Sequence, residues 1–126
     1  MIYADTDFFL ALLKPSDWLK DSAKQLLEEY KGEIVTSSVT LIELLLLAKE
    51  CKLDPERLLL DALEIAELRD ANPDPFLIAA SIIKKGKANV FDALHAAFCG
   101  SDEIVSSDKV YDKLGLKRIR LDGQLR

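Results

Sequence analysis

The sequence predicts an α/β protein in which a short parallel sheet is covered by helices on both faces. Three observations carry that reading. Brief apolar runs of strand type are separated by helical segments, the alternation a parallel sheet requires. The long middle of the chain is helical throughout, so helices dominate. With 126 residues, 49% of them apolar, the chain can bury about two-thirds of its unfolded surface, and residues 1–126 are expected to form a single domain.

Ile2-Tyr3-Ala4 has the make-up of a short buried strand ending at Asp5. Phe8–Leu13 reads as a short helix stopped by Pro15. Ser16 is a suitable N-cap for the next helix, Asp17 falls in its first turn and Gly32 closes it. Along that helix Trp18, Leu19, Ala23, Leu26, Leu27 and Tyr30 recur at helical spacing. Glu33–Thr36 is a second strand, and Ser37 or Ser38 begins a helix over Val39–Cys51 that is apolar on nearly all sides. Such a helix must be buried or sit at an interface.

Asp54-Pro55 supplies a cap followed by an N1 proline, with Leu53 placed to staple against Leu58, and the helix so started is expected to run to about Leu68. Asn72-Pro73-Asp74-Pro75 breaks the chain before a helix over Phe76–Lys85, which Gly86 ends. Another helix covers roughly Phe91–Cys99. Glu103–Ser106 is a third strand, Asp108–Leu114 a short helix up to Gly115, and Arg118–Leu121 a final edge strand.

Composition excludes several classes. Five glycines and four prolines are too few for a collagen-like or linker-rich chain. Cys51 and Cys99 lie in apolar stretches and read as buried thiols; with His95 as the single histidine, no zinc-type spacing can be assembled. The chain opens on Met1-Ile2-Tyr3-Ala4 without a basic leader, and its longest apolar run, Leu44–Ala48, is far shorter than the ~20 residues of a membrane span. A soluble, cytoplasmic protein with no membrane association is therefore expected. The net charge of −5 runs against non-specific grip on duplex DNA. If several carboxylates are gathered around cations, however, the remaining surface is close to neutral.

Where the acids fall is the informative part. Asp5 follows the first strand and Asp108 the third, so both open a helix at the carboxyl edge of the sheet, where open parallel sheets bind ligands. Asp is also a good N-cap, and capping and function coincide freely. Glu43 sits in a helix whose neighbouring positions are apolar except Thr40, with no Lys or Arg within a turn. An ionised carboxylate there needs a cation or a raised pKa, unless it lies at the fringe facing solvent or an arginine. Asp92 falls in the first turn of a small-residue helix, where the dipole favours an acid, and Ala93, Ala96 and Ala97 permit close packing. His95 lies at i+3 from it; a lone histidine is more often a satisfied structural residue than a ligand. Four carboxylates sharing a small volume need cations, and oxygen-only donors suit Mg²⁺ or Mn²⁺.

These residues carry a resemblance to the PIN-domain family, specifically to the VapC-like ribonuclease toxins of type II toxin–antitoxin pairs. Its marks are Ile2-Tyr3-Ala4-Asp5-Thr6, Thr36-Ser37-Ser38-Val39-Thr40-Leu41-Ile42-Glu43-Leu44, Asp92-Ala93-Leu94-His95-Ala96-Ala97, Val105-Ser106-Ser107-Asp108 and the trailing Gly115-Leu116-Lys117-Arg118-Ile119. The resemblance spans nearly the whole chain. It implies a three-layer fold whose small central, mainly parallel sheet has four or five strands. It also implies an acidic quartet on Asp5, Glu43, Asp92 and Asp108, and a hydroxyl beside the fourth acid on Ser106. Thr6, Asp7 and Asp112 are candidate supporting residues, with Asp7 equally a first-turn helix residue and Asp112 equally a solvated one. Asp7 is a departure, since the family commonly has Asn or Ser there. The implied activity is Mg²⁺- or Mn²⁺-dependent hydrolysis of RNA, with a homodimer and a small antitoxin as partners.

Lys84, Lys85 and Lys87 form one basic cluster, and Lys109, Lys113, Lys117, Arg118 and Arg120 another; each is a candidate RNA contact or an ordinary solvated face. Two competing readings remain at this level. One is a PIN-fold interaction module without turnover, working through Leu44–Leu47 and Leu58–Leu60. The other takes Asp5-Thr6-Asp7 as the opening of a haloacid-dehalogenase-like phosphatase, which would normally continue Gly-Thr where this chain has Phe8-Phe9.

Overall fold

The computed structural model describes residues 1–69 and 73–124. In chain order the elements are β1 (Ile2–Ala4), α1 (Thr6–Leu13), α2 (Lys20–Glu29), β2 (Ile34–Thr36), α3 (Ser38–Ala48), α4 (Pro55–Ile65) and β3 (Glu67–Leu68). They continue with α5 (Pro73–Lys84), α6 (Val90–Cys99), β4 (Glu103–Ser106), α7 (Val110–Lys113) and β5 (Arg118–Arg120), then a 3₁₀ turn at Asp122–Gln124. The sheet is parallel throughout, in the order β3-β2-β1-β4-β5. This is the α/β class expected, with helices on both faces.

Strand periodicity explains the three layers. Side chains alternate faces along a strand. Ile2 and Ala4 of β1, Ile34 of β2 and Val105 of β4 pack with Phe8, Phe9, Leu26, Leu44, Leu58 and Ala62. The intervening Tyr3, Val35 and Ile104 join Val39, Ala96, Phe98, Cys99 and Tyr111 on the opposite side. Leu53 packs into the first cluster with Leu58, as a staple should. Among the described residues no helix is long and apolar enough to cross a membrane.

Several expected boundaries move. The helix expected to reach Leu68 stops at Ile65, and Glu67–Leu68 instead pairs in parallel with Val35–Thr36 as an exposed edge strand. Two residues carry too little pattern to be read as a strand. α2 begins at Lys20, not after Ser16; Asp17 fastens its start by accepting the Leu19 N–H at 2.9 Å, and Trp18 is left 69% exposed in the preceding turn. α5 starts at Pro73, ahead of the break expected around it, while Asn72 lies outside the described residues. α7 is shorter than expected, and β5 ends at Arg120, forming the other sheet edge. Cys51 is only half-buried in a turn after α3, whereas burial raises the Cys99 thiol to about 12. The apolar helix α3 is partly open: Leu44 is buried, but Ile42, Leu45 and Leu46 face solvent.

Two features fix α6, which carries two of the residues of interest. Asn89 caps its N-terminus by accepting the Asp92 N–H at 2.9 Å. At its other end Arg69 donates to the carbonyls of Phe98 (2.6 Å) and Cys99 (3.2 Å) and pairs with Asp102. Gly100 follows at φ +63°, a conformation few side chains adopt.

Core and turn make opposite forecasts. Phe9 is fully buried, so Phe9→Ala is expected to lower unfolding free energy by about 3–5 kcal/mol in urea titration. Trp18→Ala should change it by no more than about 0.5 kcal/mol.

Candidate active site

Strand order reverses at β1: the chain proceeds from β1 to β2 and β3 on one side, and returns to β4 and β5 on the other. Crevices form at the carboxyl ends of strands beside such a switch point. Asp5 immediately follows β1, and Asp108 lies just beyond β4. A polar cleft of about 220 Å³ opens there, lined by the carboxylates of Asp5, Asp7, Glu43, Asp92 and Asp108 together with Thr6, Asn89, His95 and Tyr111.

Each acid is positioned by local chemistry. Asp5 is the N-cap of α1, accepting the Phe8 N–H at 3.4 Å. The Ser106 hydroxyl hydrogen-bonds its carboxylate and also accepts the Asp108 N–H at 3.0 Å, so one buried serine ties the first acid to the last. Asp7 accepts from the Ser107 hydroxyl at 3.1 Å. Asp92, in the first turn of α6, accepts from the Tyr111 hydroxyl at 3.4 Å. Asp108 turns one oxygen back to the Val110 N–H at 2.9 Å.

Burial is the main force raising the Asp5 carboxyl well above the ordinary range, with the neighbouring Asp7 charge adding to it. Burial also raises Asp7 and Asp92, each further pushed by Asp108. Glu43 behaves differently. Burial works against its charge, but hydrogen bonds from His95 and Thr6 outweigh that and hold its pKa below the usual value. Its Oε1 takes both contacts, at 2.9 Å from His95 Nε2 and 2.5 Å from Thr6 Oγ1, leaving Oε2 as the acceptor available to a ligand. Neither partner is a helix neighbour of Glu43: they come from α1 and α6, remote in sequence.

His95 is buried and joins a chain of hydrogen bonds. Its Nδ1 lies 2.9 Å from the Tyr3 hydroxyl, which lies 2.7 Å from Ser37 Oγ. An ionised Glu43 only accepts, so Nε2 carries a hydrogen. In the neutral ring Nδ1 then accepts from Tyr3, and the Tyr3 oxygen accepts from Ser37. Burial raises the Tyr3 phenol, which stays protonated as this order requires.

The structure therefore gathers Asp5, Glu43, Asp92 and Asp108 in one cleft with Thr6 and Asp7, and sets Ser106 directly behind them. Asp112 is not part of this group. It forms a bidentate ion pair with Arg118 at 2.9 and 3.0 Å, which lowers its pKa. The same pairing, with a further bond to the Ser106 carbonyl, leaves the Arg118 side chain only 5% exposed and takes it out of the basic cluster. Asn89, Ser107 and Tyr111 were not singled out from sequence. Asn89 had a usable signal as an N-cap three residues before Asp92, and Tyr111 falls three residues after Asp108.

The donor set suits a hard divalent cation: carboxylate oxygens, no thiol, and no lysine or arginine among the lining residues. Among the described residues no three acidic, histidine or cysteine side chains already stand together in ligating geometry. Their hydrogen bonds point several of them toward Ser106, Ser107, Tyr111 and His95 instead.

Comparison with known proteins places this arrangement in context. The PIN domain profile matches residues 2–117. No curated protein matches the sequence. Among solved structures the chain is similar to VapC20 of Mycobacterium tuberculosis, described as a sarcin-ricin loop cleaving toxin: 20% identity and TM-score 0.78, covering 95% of this chain and 99% of that one. It is similar to a chain of VapBC2 from Rickettsia felis bound to a promoter DNA fragment, at 21% identity and TM-score 0.73, covering 95% and 98%. A toxin–antitoxin complex from Klebsiella pneumoniae gives 20% and 0.68, covering 86% and 88%. At these identities the likeness is one of fold.

Two predictions follow from the cleft alone. Asp5 binds a proton more tightly when folded than unfolded, so its contribution to stability falls as pH rises above the ordinary carboxylate range. In chelator, Asp5→Asn should melt at higher temperature than the native chain at pH 7. The gap should close as pH drops to about 3, and adding Mg²⁺ should raise the native chain more than the variant. Because His95 is the single histidine, ¹⁵N NMR should report a protonated Nε2 bonded to Glu43 and a Nδ1 hydrogen-bonded to Tyr3. Tyr3→Phe should remove that bond and cost about 1–3 kcal/mol.

Proposed function

This chain belongs to the PIN domain family, and on that footing we propose that it is a divalent-metal-dependent endoribonuclease, the toxin of a toxin–antitoxin pair. The observation carrying the proposal is the meeting of four acids from four separated segments at the switch point of the sheet.

Asp5, Asp92 and Asp108 would hold Mg²⁺ or Mn²⁺, directly or through water, and Glu43 would serve a second ion or the attacking water. A bound divalent ion supplies charge neutralisation for the phosphate and a more acidic water nucleophile. The protein's own residues do the arranging. Glu43, kept ionised by His95 and Thr6, accepts a hydrogen bond from the attacking water through Oε2 and fixes its direction. Asp7, braced by Ser107, adds negative charge at the rim and favours cation entry. The Tyr111 hydroxyl and Asn89 hold Asp92 in orientation.

Such an acidic cleft does not hold the RNA backbone, so phosphates away from the scissile bond must meet cations outside it. Lys109, Lys113 and Lys117 are exposed and serve as candidates. A protein partner is supported by apolar side chains left in water on two helices, Ile42, Leu45 and Leu46 of α3 and Phe76, Leu77 and Ile78 of α5. A second copy of the chain and a small antitoxin are the proposed occupants, and RNA cleavage as a toxin implies work in the cytoplasm. The same surface favours the second reading, an interaction module without turnover.

Purified protein on RNA with Mn²⁺ separates the two. Asp92→Asn is expected to cut hydrolysis by about 100-fold or more while remaining folded by circular dichroism. Equal cleavage by variant and native chain would point to a contaminating nuclease and remove the enzymatic reading.

A further inference from the structure

A second cleft, of about 250 Å³, adjoins the acid cleft and shares Asp7 with it; Leu10, Lys14, Asp17, Trp18 and Ser107 also line it. Trp18 is the single tryptophan of the chain and is 69% exposed, although its sequence spacing assigns it to a buried helical face. Its turn is firmly pinned. Asp17 accepts the Leu19 N–H through its carboxylate at 2.9 Å and the Lys20 N–H through its carbonyl at 3.0 Å. The Lys20 ammonium donates to the carbonyls of Leu12 and Lys14 at 2.7 and 2.6 Å, and Lys14 pairs with Asp17 at 3.3 Å. The fold thus holds the largest apolar side chain of the protein in water on a fixed backbone, beside the acids.

Resting on the nuclease reading, we propose that Trp18 is a stacking platform for an unpaired RNA base next to the scissile phosphate. The two clefts are neighbours that share Asp7, so a chain whose phosphate lies in the first can set an adjacent residue in the second. Lys14 and Asp17 pair with each other, which leaves Asp7 as the remaining acid of the lining and no unpaired cation there for a phosphate. The indole and Leu10 offer an apolar wall to a flat, uncharged group, and the carboxylates and Ser107 offer acceptors to its N–H groups. A nucleobase has both properties. A base paired within an A-form helix cannot present its face, so the platform selects single-stranded or looped RNA.

Trp18 is its own reporter. In Asp92→Asn protein with Mg²⁺, a mixed-sequence single-stranded oligoribonucleotide is expected to quench indole emission saturably. The same strand annealed into a duplex, or built with abasic residues, should not. In otherwise native protein, Trp18→Ala should raise KM for single-stranded RNA about 10- to 100-fold with kcat largely kept, and Trp18→Tyr should restore most of the loss. If the native chain hydrolyses RNA but emission and KM ignore Trp18, the platform is overturned and the nuclease stands. Quenching by the abasic strand overturns it in favour of backbone contact. An emission change appearing only with rising protein concentration overturns it in favour of a protein interface. Absence of both hydrolysis and RNA binding removes the nuclease reading itself.

Discussion

Like charges brought into one cleft, with no lysine or arginine among the residues lining it, are the constraint on which the rest of this structure turns. Carboxylates a few ångströms apart repel by several kcal/mol at intermediate dielectric, and burial adds to the penalty. A folded chain tolerates this only where many other interactions hold the backbone in place. Here that support is the parallel sheet, whose central strands are buried on both faces, and the helices that β1 and β4 lead into. The raised carboxyls of Asp5, Asp7 and Asp92 express the same conflict. Stability is given up at the carboxyl ends of the strands, where these acids crowd.

The acids are not equivalent. The four aspartates share the repulsion, while Glu43 is separately supported by Thr6 and His95 and keeps its charge. One of those donors, His95, is itself supported, through Tyr3 to Ser37, by a line of buried polar groups reaching behind the cleft. A single histidine, plausible from sequence as a structural residue, thus acts at one remove on the cleft. This differentiates the acids: one acceptor fixed by two donors, and four aspartates that crowd one another.

Much of this was legible in the sequence, and the reasons differ by residue. Strand identity and the placement of Asp5 and Asp108 followed from local patterning, because a strand followed by a capping acid is a short-range signal. Glu43 stood out because an acid among leucines conflicts with its surroundings. Its partners did not, since Thr6 and His95 lie 37 and 52 residues away and only the topology unites them. From sequence Asp112 reads equally as a site neighbour or a solvated helix residue, and what decides its place is Arg118, six residues on, through a pairing that needs β5 to be in place. β3 was overlooked because two exposed residues carry no periodicity, and Trp18 was assigned inward because tertiary pinning of its turn overrides helical spacing.

The clasp of Arg69 on the last carbonyls of α6 has a wider meaning. Arg69 is the residue after β3, and its own N–H is held by the Thr36 carbonyl at 2.9 Å. A stiff rod clamped at its far end transmits any shift of that clamp along its axis, and this rod bears Asp92 and His95. The outermost, least patterned margin of the sheet is therefore tied by hydrogen bonds to a helix that lines the acid cleft. A substitution at that margin thus falls on the anchorage of α6 while leaving every group that lines the cleft unchanged.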